Sequence, residues 1–204
     1  VEMVGEKPMI YVDRTGEAGL KTFVQANNIG IGDTVNYTLA DVVAVYARKL
    51  RTVTISGKDE SGEKVKRVLE ATDEELKEFG VYDKYMNLVK SIEENQFLTS
   101  TVGSPLDVIR TELEKKGYTV AEGTGRDDYL NWENGKWILR RRTSKEKNKV
   151  NNKTRFNNGD VDVLIYNQSM STGVSMHASP KEGTDLRKRR LFIFDPGDKV
   201  DLLV

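Results

Sequence analysis

Asp160-Val-Asp-Val-Leu-Ile-Tyr-Asn-Gln-Ser-Met-Ser-Thr-Gly-Val-Ser-Met-His177 decides the fold. Val161, Val163, Leu164, Ile165 and Tyr166 form a nearly continuous run of β-branched, aliphatic and aromatic residues. Such a run fits a strand covered on both faces, as in a parallel sheet. Directly after it, Ser169, Ser171, Thr172, Gly173 and Ser175 bring hydroxyls, backbone N–H groups and close backbone approach. Those are the groups a polyanion needs where a strand ends.

Working outward, further strands and helices alternate. Met9-Ile-Tyr-Val-Asp13 reads as a strand, followed by the turn Arg14-Thr-Gly16 and a helix over residues 17–26. The spacing predicts a second helix over 39–50, with Val42, Val43, Val45 and Tyr46 on its buried side. Thr52-Val-Thr-Ile-Ser56 reads as a strand. Residues 58–79 are charged and glycine-punctuated, which predicts a surface insertion or weak helices, with the inserted stretch reaching about residue 83. A helix over 82–94 carries Tyr85, Leu88, Val89 and Ile92 at core spacing.

Ser104-Pro-Leu-Asp107 marks a helix start, with Ser104 as N-cap, Pro105 at the first helical position and Asp107 as a capping-box-like partner. Gly117 ends that helix. Tyr118-Thr-Val-Ala-Glu122 is the next strand and Gly123-Thr-Gly-Arg126 its exit loop. Asn134-Gly135 marks a turn between a strand pair that carries Trp132 and Trp137. The run 140–155 holds eight basic residues against the single acid Glu146. Arg190-Leu-Phe-Ile-Phe-Asp195 is the last strand.

This alternation implies βαβ units and a mostly parallel sheet, an α/β fold. Ligands of such sheets bind beyond the carboxyl ends of the strands. Three exit loops there carry Thr-Gly: Arg14-Thr15-Gly16, Thr124-Gly125-Arg126 and Ser171-Thr172-Gly173. On one rim they would suit a phosphodiester backbone or a nucleotide.

Composition narrows the chemistry. The 204 residues are enough for one domain with an appendage, burying roughly 70% of the unfolded surface. Charges balance, with 32 basic and 32 acidic residues, so any nucleic-acid affinity must come from local patches. The chain has no cysteine and one histidine, His177. Disulfides, thiolate catalysis and Cys- or multi-His metal sites are excluded. His177 sits at an apolar-looking position that fits packing better than catalysis. No apolar run reaches membrane-span length and no signal-peptide pattern opens the chain, so a cytoplasmic protein is expected. The opening residue, Val1, points to a piece of a longer protein.

Four segments together resemble the second RecA-like domain of superfamily 2 helicases, and more narrowly the strawberry-notch and phage or plasmid antirestriction helicase group. They are Ser104-Pro-Leu-Asp107 before a helix ending in Lys116-Gly-Tyr118; Glu122-Gly-Thr-Gly-Arg126; Arg155-Phe-Asn-Asn-Gly159 leading into the 161–166 strand; and Ser171-Thr-Gly-Val-Ser-Met-His-Ala178 followed by Arg187-Lys-Arg-Arg190. The resemblance implies one RecA-like lobe over residues 1–204, with the insertion at 58–83. It implies that Thr124, Gly125, Arg126, Ser171, Thr172 and Ser175 contact a nucleic-acid backbone. Gly173 and Ser171 would couple that contact to ATP. No phosphate-cradling G-x-x-x-x-G-K-[ST] motif, acidic pair or terminal Gly-Arg-x-x-Arg motif is present. The chain is therefore expected to lack catalytic residues and metal ligands of its own. ATP and Mg2+ would belong to a full-length parent, and the partners would be DNA or RNA and the parent's N-terminal lobe. Two other classes fit the same residues: a non-catalytic nucleic-acid-binding or assembly module, and an unrelated enzyme taking a small phosphorylated ligand at the rim.

Overall fold

A computed structural model describes residues 5–58, 63–171, 176, 178 and 184–194. The chain divides into two compact units, one formed by Val1–Asn36 with Ser104–Val204, the other by Tyr37–Gly103.

The first unit is built on a four-stranded, all-parallel sheet. Its strands are β1 (Glu6–Val12), β4 (Val120–Gly123), β7 (Val163–Tyr166) and β8 (Lys188–Phe194), in the order β4-β7-β1-β8. Every residue of β7 is buried, as its unbroken apolar run predicts. Successive side chains feed two separate cores. Ile10, Val12, Val163 and Ile165 pack with Leu106, Ile109 and Leu113 of α6 (Pro105–Lys115). Tyr11, Ala121, Leu164 and Tyr166 pack with Phe156 of α8 (Lys149–Asn158) and with Met170 of α9 (Gln168–Ser171). Helices thus cover the sheet, the α/β RecA-like arrangement the sequence implied.

The remaining elements of this unit follow their local chemistry. α1 (Glu17–Ala26) buries Leu20 and Val24. β5 (Asp128–Glu133) and β6 (Lys136–Arg141) form a hairpin in which Leu130 faces Leu139 and Trp132 faces Trp137. Its turn places Asn134 and Gly135 at φ 49° and 79°, the left-handed values that an Asn-Gly turn accommodates. Segment 32–35 lies along β6 through Leu139 N–H to Asp33 O at 3.0 Å and Val35 N–H to Trp137 O at 2.9 Å. A short α7 (Ser144–Lys147) starts on a Thr143–Glu146 capping box and leads into α8.

The Tyr37–Gly103 unit contains α2 (Leu39–Lys49), the antiparallel hairpin β2 (Thr52–Lys58) and β3 (Lys64–Glu70), and helices α3 (Asp73–Glu78), α4 (Tyr82–Glu94) and α5 (Gln96–Ser100). Thr38–Asp41 and Thr72–Glu75 capping boxes start α2 and α3. Two expectations change here. Residues 64–70, read as surface insertion or weak helices, form a full strand, paired residue for residue with β2 from Thr52↔Glu70 to Lys58↔Lys64. The 52–56 strand pairs only within that hairpin and not with the parallel sheet. On α2 the only fully buried residue is Ala47, while Val45 and Tyr46 are exposed.

Candidate nucleic-acid interface

The strands of the parallel sheet run the same way, so the segments after β1, β4 and β7 leave from one edge. Tyr11 and Gly123 both pair with Tyr166, which sets their ends at one level. Arg14, Gly16, Thr124, Gly125 and Arg126 therefore follow strands that end together. Ser171 is the last residue of α9. Thr172, Gly173, Ser175 and His177 lie outside the described residues.

The 124–126 loop is built around a buried ionic cluster. Arg126 is 2% exposed and Thr124 1% exposed. Arg126 donates from Nε and Nη2 to the two carboxylate oxygens of Glu122, each at 2.7 Å, and from Nη2 to Asp107 Oδ1 at 2.7 Å. Such bidentate, charge-assisted pairing is the strong form of the interaction. The Thr124 hydroxyl donates to Glu122. Arg110 completes the group, 3.5 Å from Asp107 and 3.8 Å from Glu122, with its guanidinium over the Tyr129 ring.

Asp107 does not cap α6 in the expected way. Its carboxylate accepts from Ser104 Oγ at 2.6 Å and from Leu130 N–H at 2.8 Å, while Ser104 makes no side-chain cap bond to the backbone. Fully buried beside Arg126, the carboxylate serves the cluster and the β5 backbone instead. Ser104 remains the N-cap and Pro105 opens the helix.

Burial by itself would raise the Glu122 pKa. The charges of Arg126 and Arg142 and the bonds from Arg126 and Thr124 outweigh burial and hold it at about 2. Glu122 is thus ionised at neutral pH, as its bidentate partner requires.

Arg142 holds the loop from behind. Its Nη2 donates to Glu122 O at 2.7 Å, and its Nη1 to Thr124 O at 3.2 Å and Arg126 O at 3.1 Å. Asn152 of α8 donates to Glu122 O at 2.9 Å and to Glu146 O at 2.7 Å. These bonds satisfy carbonyls that the loop would otherwise bury unpaired. With Thr124 and Arg126 turned inward, the part of the loop facing solvent is Gly125, which is exposed and has open space around its α-carbon. What the loop offers outward is a shaped backbone.

Much of the basic run is likewise engaged. Arg140 pairs with Glu133, Arg141 with Asp128 at 2.8 Å and Lys147 with Asp127 at 2.7 Å. Lys149 Nζ donates to Ser169 Oγ at 2.9 Å. Trp132 and Trp137 meet edge-to-face, with centroids 5.1 Å apart, on the hairpin. Asp162 accepts from Thr119 N–H at 3.0 Å and Thr119 Oγ1 at 2.8 Å, a clamp at the start of β7. Among the described residues no group of three or more acidic or histidine side chains is placed to hold a metal ion. No described helix is long and apolar enough to cross a membrane.

Sequence reasoning did not single out Glu122, Asp107, Arg142 or Asn152 as partners of the loop. The available signal was the Glu122–Arg126 spacing across two glycines, where an acid and a base flank a turn.

Residues 104–204 match the family model described as the C-terminal domain on Strawberry notch homologue. This stretch is similar to a helicase C-terminal domain. Its match begins at Ser104, the first residue of the buried cluster, and includes β4, the 124–126 loop and β7. No curated protein and no solved structure matches the chain.

Proposed function

We propose that the chain is the C-terminal lobe of an ATP-dependent DNA helicase or translocase acting in the cytoplasm. In this reading it contacts the nucleic-acid backbone and couples that contact to ATP hydrolysis with a partner N-terminal lobe. The observation that carries it is the family match over 104–204, which spans two loops leaving the same edge of a parallel sheet. Gly125 would approach a phosphate through its backbone N–H. Ser171, Thr172 and Ser175 would add hydroxyls, and Gly173 with Ser171 would relay closure to the nucleotide. ATP and Mg2+ would act in the parent protein, where the partner lobe supplies the phosphate cradle.

A second reading, a non-catalytic nucleic-acid-binding or assembly module, is favoured by the burial of Thr124 and Arg126. One pair of measurements separates the two. Fluorescence anisotropy with a short single strand tests the contact, and ATP turnover by the parent with and without that strand tests the motor. Binding that weakens steeply with salt, together with strand-stimulated turnover, supports the motor lobe. Binding without turnover supports the nucleic-acid-binding module, and absence of binding at low salt overturns the motor lobe and leaves only the assembly module.

A further inference from the structure

β4 is the last strand on its side of the sheet, and its free edge borders a cavity of about 130 Å³. Residues of α6, α8 and the β5–β6 hairpin close around that edge. The volume is well above the roughly 10–15 Å³ that admits one water, so a small ligand has room.

Three arginines and three acids line the cavity, and their charges are unequally engaged. Both carboxylate oxygens of Glu122 are taken by Arg126. Glu146 accepts from the N–H and the hydroxyl of Thr143, each at 2.7 Å, in the capping box of α7. Arg142 spends its donors on the carbonyls of Glu122, Thr124, Arg126 and Glu146. Glu114 is the one lining acid without a partner, and it is exposed to water, which screens it.

Arg155 differs from Arg142. It is half-buried on α8, and its guanidinium makes no hydrogen bond or ion pair among the described residues. A cation drawn partly out of water without a counter-group gives up hydration and gains no bond in return. Arg110 on α6 is only loosely engaged. Its nearest acids lie at 3.5 and 3.8 Å, and its hydrogen bond to Leu130 O is 3.3 Å long. The hydroxyl of Tyr129, whose ring lies under Arg110, makes no hydrogen bond among the described residues.

We propose that this cavity binds a small oxyanion, a phosphate or carboxylate group, held by Arg155 and Arg110 with the Tyr129 hydroxyl as a further donor. A guanidinium fork matches either group with two parallel bonds. The free cations stand on α6 and α8 rather than on the loops assigned to nucleic acid, so the site is independent of that contact.

The test titrates the isotope-labelled chain with inorganic phosphate, with acetate and with chloride at matched ionic strength, following backbone amide shifts by NMR and recording thermal unfolding. Phosphate or acetate should give saturating shifts in α6, β4 and α8, and chloride should give none. Phosphate binding with acetate inert assigns a phosphate ligand, and the reverse assigns a carboxylate. Arg155→Gln should weaken the binding about tenfold or more through loss of one charge-assisted fork. Its Tm should stay close to that of the wild type, because the fold uses none of the Arg155 side-chain donors. Arg155→Lys keeps the charge without the fork and should fall between the two. Glu114→Gln removes the free acid from the wall and should tighten binding. Shifts that fail to saturate, that chloride reproduces, or that persist unchanged in Arg155→Gln overturn the proposal and leave the proposed function untouched.

Discussion

Arg126 and Asp107 stand nineteen positions apart and meet at 2.7 Å, both fully buried. The bond ties the loop after β4 to the first turn of α6. Removing one member of a buried pair costs more than the pair contributes, because the other charge is left without its partner. Asp107→Asn should therefore destabilise the sheet-bearing unit by about 3 kcal/mol. Glu122 still holds Arg126 in that variant, which keeps the loss at the lower end. Urea unfolding followed by circular dichroism measures it, and a loss under about 1 kcal/mol would show that the cluster is loosely held.

Glu122 makes stability depend on pH. Its carboxyl is held at about 2 in the folded state against an ordinary 4.5. A depressed folded value means stability is present above the ordinary value and is lost as pH falls from 4.5 toward 2. About 2 kcal/mol should disappear between pH 6 and pH 3 from this group. Glu122→Gln should lower stability at neutral pH and flatten that part of the profile. Unfolding midpoints across the pH range check both effects.

Lys7 offers an asymmetric pair of variants. Its side chain is fully buried in β1, with Nζ donating to Asp185 Oδ2 at 2.8 Å and lying over the Phe156 ring. Asp185 keeps a second partner, Arg187, at 2.6 Å. Lys7→Met leaves that acid paired and fills a similar volume, so it should change stability by less than about 1.5 kcal/mol. Asp185→Asn leaves Lys7 buried without its counter-ion and should cost about 3 kcal/mol. Equal losses from the two would contradict this account of the site.

Gly103 closes the Tyr37–Gly103 unit. A β-carbon there would lie 2.6 Å from Thr38 O and 2.8 Å from the Tyr37 ring. Gly103→Ala should destabilise that unit by about 1–3 kcal/mol through overpacking. Hydrogen exchange should accelerate in α2 and α5, and the parallel sheet should keep its protection.

Lys145 and Lys153 report on the proposed contact. Most other cations of the basic run are engaged within the fold. Where each of the two meets a phosphate, its replacement by alanine should reduce the salt slope of binding by about one and weaken all sequences alike. An unchanged slope would place the nucleic acid elsewhere.

The sequence was informative where a local rule acts alone. The unbroken apolar run at Val163–Tyr166 announced a strand buried on both faces, and Asn134-Gly135 announced a hairpin turn. Helices Glu17–Ala26 and Tyr82–Glu94 have the bounds their apolar spacing predicts, although of Tyr85, Leu88, Val89 and Ile92 only Ile92 is buried and Leu88 is exposed. Partners brought together by the fold were not legible. Asp107 satisfies a local capping pattern, yet its carboxylate turns toward Arg126 and the Leu130 N–H. Arg126 looked like a ligand-facing arginine because nothing in a Thr-Gly-Arg triplet reveals an acid four residues back and another on a packed helix. The partners of the basic run were hidden for the same reason: Glu133, Asp128 and Asp127 pair with Arg140, Arg141 and Lys147 across the hairpin and the adjoining loop.

The two ends of the Tyr37–Gly103 unit join directly, through Gly103 N–H to Tyr37 O at 2.9 Å and a bridge between Thr38 and Val102. A segment that departs and returns at neighbouring points behaves as a cassette. Evolution could exchange, enlarge or delete it with only a short splice between Asn36 and Ser104. The sheet's strand order depends on none of its residues, so its sequence is free to diverge at a different pace from the strands on either side.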